Sequence, residues 1–295
     1  MNLDALWHDL ECGAYGEDLA LWRALAAEAG GPVLDVGAGT GRVTLDLAAR
    51  GFPVTALELD PALLAALERR AAGLPVETVV ADARDFALPR RFALVLAPMQ
   101  TLQLLGGPPG RAAFLRCALR HLEPGGRLVA AVADALDCFD DEHDAPPPPQ
   151  AREILGVRYA SRLLDVVVDD GGRAAIHRQR QITGPGASFA AQEVVTRLDR
   201  VSAEGLAAEA TALGFYAEPP RVIPETVEYL GSTVVVLRRP ATATATATAA
   251  RRSRSARAGV PAAPARPAAA APPPCPPAAP ARMPAPSPPA AGRPG

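Results

Sequence analysis

Apolar residues along the first 135 positions keep two rhythms that take turns. Between 17 and 29, Leu19, Trp22, Ala26 and Ala29 recur at helical spacing, and Gly30-Gly31 stops the run. Residues 32–36 (PVLDV) are then strand-like, 40–49 helical and closed by Gly51, and 53–59 (PVTALEL) strand-like again. Asp60-Pro61 supplies an N-cap and a first-turn proline for a helix over 63–72, which ends at Gly73. Strands follow at 75–82 (PVETVVAD) and 91–97 (RFALVLA), then a helix over Arg111–His121 and, after a PGG turn, a fifth strand over Gly126–Ala133. Such alternation with short connections predicts a parallel sheet with right-handed crossovers and helices on both faces. The Val-, Leu- and Ala-rich strands suit burial on both sides.

The rhythm breaks at 134–150, where DDEHD (140–144) precedes four prolines. An acid and histidine cluster of this kind can suggest a metal, but adjacent solvated residues ahead of prolines read as a loop, and no metal site is expected. Strand-like alternation returns at 158–170, 173–183 and 190–200, with Asp169-Asp170-Gly171-Gly172 as a hairpin turn. A helix over 202–213 capped by Ser202 and two strands, 214–222 and 231–239, complete the pattern. The expected architecture is α/β: a doubly wound, Rossmann-like, seven-stranded sheet carrying an inserted antiparallel β lid at about 150–200.

Composition divides the chain. The hydrophobic fraction of 49% suffices for a sizeable core, yet everything after Pro240 is dominated by Ala, Pro, Thr, Arg and Ser, without an aromatic residue. Residues 1–240 are expected to fold as one unit and 241–295 to be a disordered tail. The tail holds seven Arg and no acid, so a net charge of −2 for the whole chain becomes −9 without it. An acidic body argues against a nucleic-acid partner. The basic residues number 30 and all are Arg. Without Lys, neither a P-loop nor a Schiff-base enzyme can be built. Cys12, Cys117, Cys138 and Cys275 form no CxxC pair and suit reduced thiols. The first residues lack a signal-peptide pattern, and no run reaches the ~18 apolar residues of a membrane span. These readings point to a cytoplasmic protein.

The glycines after the first strand raise the question of a cofactor. Gly37, Gly39 and Gly41 spell G-x-G-x-G, with Arg42 where a dinucleotide fingerprint has its third glycine. Asp35, Glu58 and Asp82 fall near the ends of strands one, two and three, about one βα unit apart, at the carboxyl edge where open α/β sheets bind ligands. That row repels a pyrophosphate and suits an amine, a ribose diol and an adenine amine. Taken singly, the glycines also read as a tight turn, Glu58 as a surface acid and Asp82 as the cap of a turn over Ala83–Phe86.

VLDVGAGTG, LELD, ADARDF and LEPGGRLVAAV, in this order, resemble the motifs of class I S-adenosylmethionine-dependent methyltransferases of the small-molecule type. The resemblance covers about residues 15–135 and, more loosely, the last two strands. It implies that S-adenosylmethionine is the cofactor. The loop of Gly37, Ala38, Gly39 and Gly41 would wrap its methionine part, and Asp35 would hold its amino group. Glu58, followed by Leu59, would bind the ribose hydroxyls; Asp82 and the Ala83 backbone would meet the adenine; Met99 would adjoin the site.

For the acceptor, strand four runs into Ala97-Pro98-Met99-Gln100, which lacks the leading amide or acid and the aromatic of the [DN]-P-P-[YF] signature of methyltransferases acting on bases or glutamine. A small-molecule acceptor methylated at N or O is expected. Gln100 either meets substrate or caps a helix. His177 and Tyr159 lie on candidate lid strands, and Tyr15 resembles a tyrosine that closes over the cofactor in several small-molecule members. Gln100, His177 and Tyr15 are the catalytic candidates. His8 and His121 read as surface residues. A catalytically silent cofactor-binding module in assembly or regulation is the alternative; a nicotinamide-dependent reductase is disfavoured by Arg42.

Overall fold

The computed structural model describes residues 2–133, 148–169, 172–185, 187–226 and 231–241. The DDEHD cluster, Cys138, Cys275 and, from residue 242 on, the tail expected to be disordered lie outside the described residues. Two helices, α1 (Leu3–Cys12) and α2 (Leu19–Ala29), precede β1 (Val33–Val36), α3 (Arg42–Ala48), β2 (Val54–Glu58), α4 (Pro61–Arg70), β3 (Val76–Val80) and β4 (Phe92–Ala97). A 3-10 turn over Thr101–Leu104, α5 (Gly107–His121) and β5 (Leu122–Val132) follow. Then come β6 (Gln150–Ile154), β7 (Val157–Val168), β8 (Ala174–Gly184), β9 (Ala187–Leu198), α6 (Ala203–Ala212), β10 (Tyr216–Ile223) and β11 (Ser232–Arg238).

The main sheet has seven strands in the order β10-β11-β5-β4-β1-β2-β3, parallel except where β11 runs against β5 and β10. Alternate residues of each central strand feed opposite cores. Leu94 and Leu96 join Trp22, Leu25 and Leu47 of α2 and α3 on one face. Val95 and Ala97 join Phe114, Leu115 and Leu206 of α5 and α6 on the other. Full burial of β4 therefore follows from its position between two helical layers. Chain order reverses between β1 and its neighbours β2 and β4, which opens a crevice at their carboxyl ends.

The inserted strands form a separate four-stranded antiparallel sheet, β6-β7-β8-β9. Three of them match the alternation; β6 is an addition, short and paired only with β7. Element ends also differ. α5 begins at Gly107 rather than Arg111, because Pro108 and Pro109 sit in its first turn, where no N–H is required. Helix α1 was not expected, although Leu3, Leu6, Trp7 and Leu10 carry its helical spacing. Neither histidine expected at the surface is there. His121 is buried, with Nε2 accepting from the Leu88 N–H at 2.9 Å and Nδ1 donating to the Cys117 carbonyl at 2.8 Å. His8 faces a pocket. Among the described residues, no helix is long and apolar enough to cross a membrane.

Candidate functional site

The glycine loop is fixed to the sheet by its own backbone. The Gly37 and Ala38 N–H groups both donate to the Leu57 carbonyl, at 2.8 and 3.1 Å. Gly37 lies at φ 71°, and a Cβ there would meet Thr101 at 2.8 Å. At Gly39 a Cβ would come within 2.4 Å of the His8 ring. Gly37 and Ala38 line the pocket, whereas Gly39 and Gly41 are covered, by His8 and by Leu67. Those two glycines thus let other elements close on the loop.

The three carboxylates do reach one pocket, of about 590 Å³, within the span common for small-molecule sites. Asp35 is fully buried; Thr44 donates to its Oδ2 at 2.7 Å, while Oδ1 has no hydrogen-bond partner among the described residues. Burial pushes its carboxyl up to about 6, against the Thr44 hydrogen bond and the Arg42 charge. Glu58 folds back on the loop: Oε2 accepts from the Gly39 N–H at 2.8 Å, and Oε1 from those of Leu59 and Asp60 at 2.8 and 3.0 Å. Asp82 caps its turn through the Arg84 N–H at 2.8 Å and is forked by the Arg84 guanidinium, which holds its carboxyl below the usual range. Leu59, Ala83, Met99 and Gln100 line the same cavity. Met99 takes a left-handed φ of 52°, an uncommon conformation for a side-chain-bearing residue.

The N-terminal segment forms one wall. The Arg42 guanidinium donates to both oxygens of buried Asp18 and, at 2.9 Å, to the Tyr15 carbonyl, and lies 5.2 Å from the Tyr15 ring centroid. That explains an arginine where a dinucleotide fold has glycine: it pins Tyr15 at the pocket. Burial, aided by Asp18, pushes the Tyr15 phenol up to about 12, so it stays a donor. Burial likewise pushes the Cys12 thiol up to about 11 and keeps it protonated. Thr40 Oγ1 donates to Asp9 at 2.6 Å, so it accepts from His8 Nδ1–H at 3.2 Å, and Nε2 is left as an acceptor. Burial also lowers the His8 pKa, favouring the neutral ring.

The lid sheet forms the opposite wall with Leu163, Val166, Ile176, Arg178, Thr196 and Leu198. These residues share one face of the pleat. His177 stands on the other face, where Nδ1 meets Glu193 at 2.9 Å. It is absent from the pocket and is withdrawn as a catalytic candidate; alternation along β8 decides the point. Gln100 and Tyr15 remain in it. Buried Gln103, overlooked in the sequence, fastens the lid at both roots. Its amide donates to the Ala133 and Asp199 carbonyls, at 3.0 and 3.1 Å, and accepts from the Ala133 N–H at 2.9 Å.

Known proteins bear out the family resemblance. Residues 33–126 match the methyltransferase-domain family. Over 137 residues the chain is 36% identical to the cypemycin N-terminal methyltransferase of a Streptomyces species, covering 46% of this chain and 54% of that protein. Over 140 residues it is 31% identical to the ubiquinone biosynthesis O-methyltransferase of Xanthomonas euvesicatoria pv. vesicatoria, covering 46% and 53%. The chain spans about half the length of these curated relatives. Among solved structures it superposes on the sugar N-methyltransferase KedS8 from a Streptoalloteichus species with a TM-score of 0.63, at 23% identity over 81% of this chain and 93% of that one. The amino pentose methyltransferase CalS10 from Micromonospora echinaspora gives 0.60, at 22% identity over 81% and 97%. At such identities the likeness concerns the fold.

Proposed function

We propose that this chain is an S-adenosylmethionine-dependent methyltransferase acting on an N or O atom of a small molecule held beneath the β6–β9 sheet. The observation that carries the reading is Asp35: a buried carboxylate with one oxygen unpartnered, beside a left-handed glycine loop and facing a pocket. An orphaned buried acceptor calls for a donor, and the cofactor's ammonium group supplies one. Asp35, Gly37 and Ala38 would hold the methionine end, Glu58 and Leu59 the ribose, and Asp82 and Ala83 the adenine, with Met99 alongside. Gly39 and Gly41 would act indirectly, by allowing His8 and Leu67 to pack on the loop. When bound, the cofactor supplies a methyl group on a sulfonium whose sulfur leaves neutral.

What the protein adds is alignment and dryness, and orientation of this kind is worth up to ~7–11 kcal/mol. The lid and α1 exclude water from the carboxyl edge. Gln100 and the protonated Tyr15 orient the acceptor. A neutral amine needs no base, and for a hydroxyl acceptor His8 Nε2 is the neutral nitrogen base in the pocket. Incubating the purified chain with methyl-labelled S-adenosylmethionine and a small-molecule extract should yield a labelled product. Tight binding of S-adenosylhomocysteine without any transfer would favour the silent module instead, and binding of NAD in its place would overturn the cofactor assignment.

A further inference from the structure

The lid face opposite the glycine loop is chemically lopsided. Leu163, Val166, Ile176 and Leu198 make it apolar, Thr196 gives one hydroxyl, and Arg178 gives a positive charge. A carbohydrate needs several polar partners along its wall, and this face offers few. Next to Arg178 along β8 stands Arg180, whose charge is matched: both Glu11 oxygens receive Arg180 at 2.8 Å, and one also receives the Ser161 hydroxyl at 2.8 Å. Glu11 thus accepts three hydrogen bonds, two of them from Arg180. Arg178 makes a long hydrogen bond, 3.3 Å, to the neutral Gln150 amide oxygen, and it acts on Glu11 through space without a direct ion pair among the described residues. Two guanidinium groups thus share one acid at the edge of an apolar slot.

We propose that Arg178 is a specificity-determining residue: the acceptor bears a single anionic group, carboxylate or phosphate, that pairs with Arg178 while its apolar body lies along Leu163, Val166, Ile176 and Leu198. The planar fork of an arginine matches the two oxygens of such a group, and the partly buried position strengthens the pair. This inference rests on the methyltransferase reading above, since it assumes that the glycine-loop side of the pocket is taken by the cofactor. The other anion available to Arg178 is the cofactor's own carboxylate, and the experiment separates the two.

S-adenosylhomocysteine is titrated by calorimetry into the wild type and Arg178→Met. Each protein, saturated with it, is then examined by ligand-observed NMR against phenylacetate, 4-hydroxyphenylacetate, indole-3-acetate and hexanoate, each beside its neutral amide, and against phenyl phosphate beside phenol. The expected result is equal S-adenosylhomocysteine affinity in both proteins, with at least one anion binding the wild type about tenfold better than its neutral partner and losing that preference in Arg178→Met. Arg178→Lys should restore part of it, because a point charge replaces the fork. A clear loss of S-adenosylhomocysteine affinity in Arg178→Met assigns the guanidinium to the cofactor and overturns the proposal. So does the absence of any anion preference in the wild type, or its survival in the variant. Failure of the wild type to bind S-adenosylhomocysteine would instead count against the methyltransferase reading.

Discussion

Asp35 has one oxygen on the Thr44 hydroxyl and turns the other, without a partner, toward the pocket. Burial, which disfavours the charged form, pushes its carboxyl up from 3.8 to about 6. A raised acid pKa makes the contribution to folding greatest below the unfolded value and removes it as pH rises through about 6. Binding an ammonium group beside Oδ1 works in the opposite direction, since it favours the carboxylate and expels a proton. S-adenosylhomocysteine affinity should therefore rise as pH increases from about 5 to about 7 and then level, by up to about tenfold. Asp35→Asn should flatten this dependence, which isolates Asp35 from His8, a second titratable pocket group, whose pKa burial lowers. A profile unchanged by the substitution would show that Asp35 does not face the ammonium group.

Among the elements, α1 does most to join the molecule's parts. Its Trp7 stacks edge-on against Tyr159 of the lid with ring centroids 5.9 Å apart, and Leu6 and Leu10 complete that small core. Glu11 forks Arg180, Asp9 takes the Thr40 hydroxyl, and His8 lies over Gly39. The helix is thus a strut between the lid and the glycine loop. Glu11→Ala should cost about 1–2 kcal/mol, a modest figure because the ion pair is partly exposed. Urea unfolding would read the loss, and hydrogen exchange should show weaker protection in β7 and β8. If neither changes, α1 does not hold the lid. Gln103 secures the other end, tying the lid's entry at Ala133 to its exit at Asp199.

On the scale of the whole molecule, the pocket belongs to two sheets: the acids and the loop come from one, the apolar wall from the other. Replacing residues 150–198 with a short Gly/Ser linker removes β6–β9 together and keeps Asp199 with Gln103. Circular dichroism and S-adenosylhomocysteine binding should persist, since every proposed cofactor contact precedes the lid, while methyl transfer to the identified acceptor should fall to near background as water enters. A folded, cofactor-binding deletion that still transfers at near full rate would place the acceptor against the Tyr15 segment instead.

The sequence alone determined what rests on local periodicity and turn chemistry. The seven strands of the main sheet, the Asp60 and Ser202 caps and the positions of Asp35 and Glu58 at strand ends, with Asp82 just past its strand, were legible, because strand and helix spacing locate where an element ends. Helix α1 carries the same spacing in Leu3, Leu6, Trp7 and Leu10. Contacts between distant segments were not written in any local pattern. Only the tertiary structure decided that His8 covers Gly39, that Arg42 pins Tyr15, and that Gln103 clasps the two roots of the lid. His177 shows the physical reason. Its strand was predictable, but which face of the strand meets the pocket depends on how the whole lid packs, and a shift of one residue sends a side chain to the opposite side.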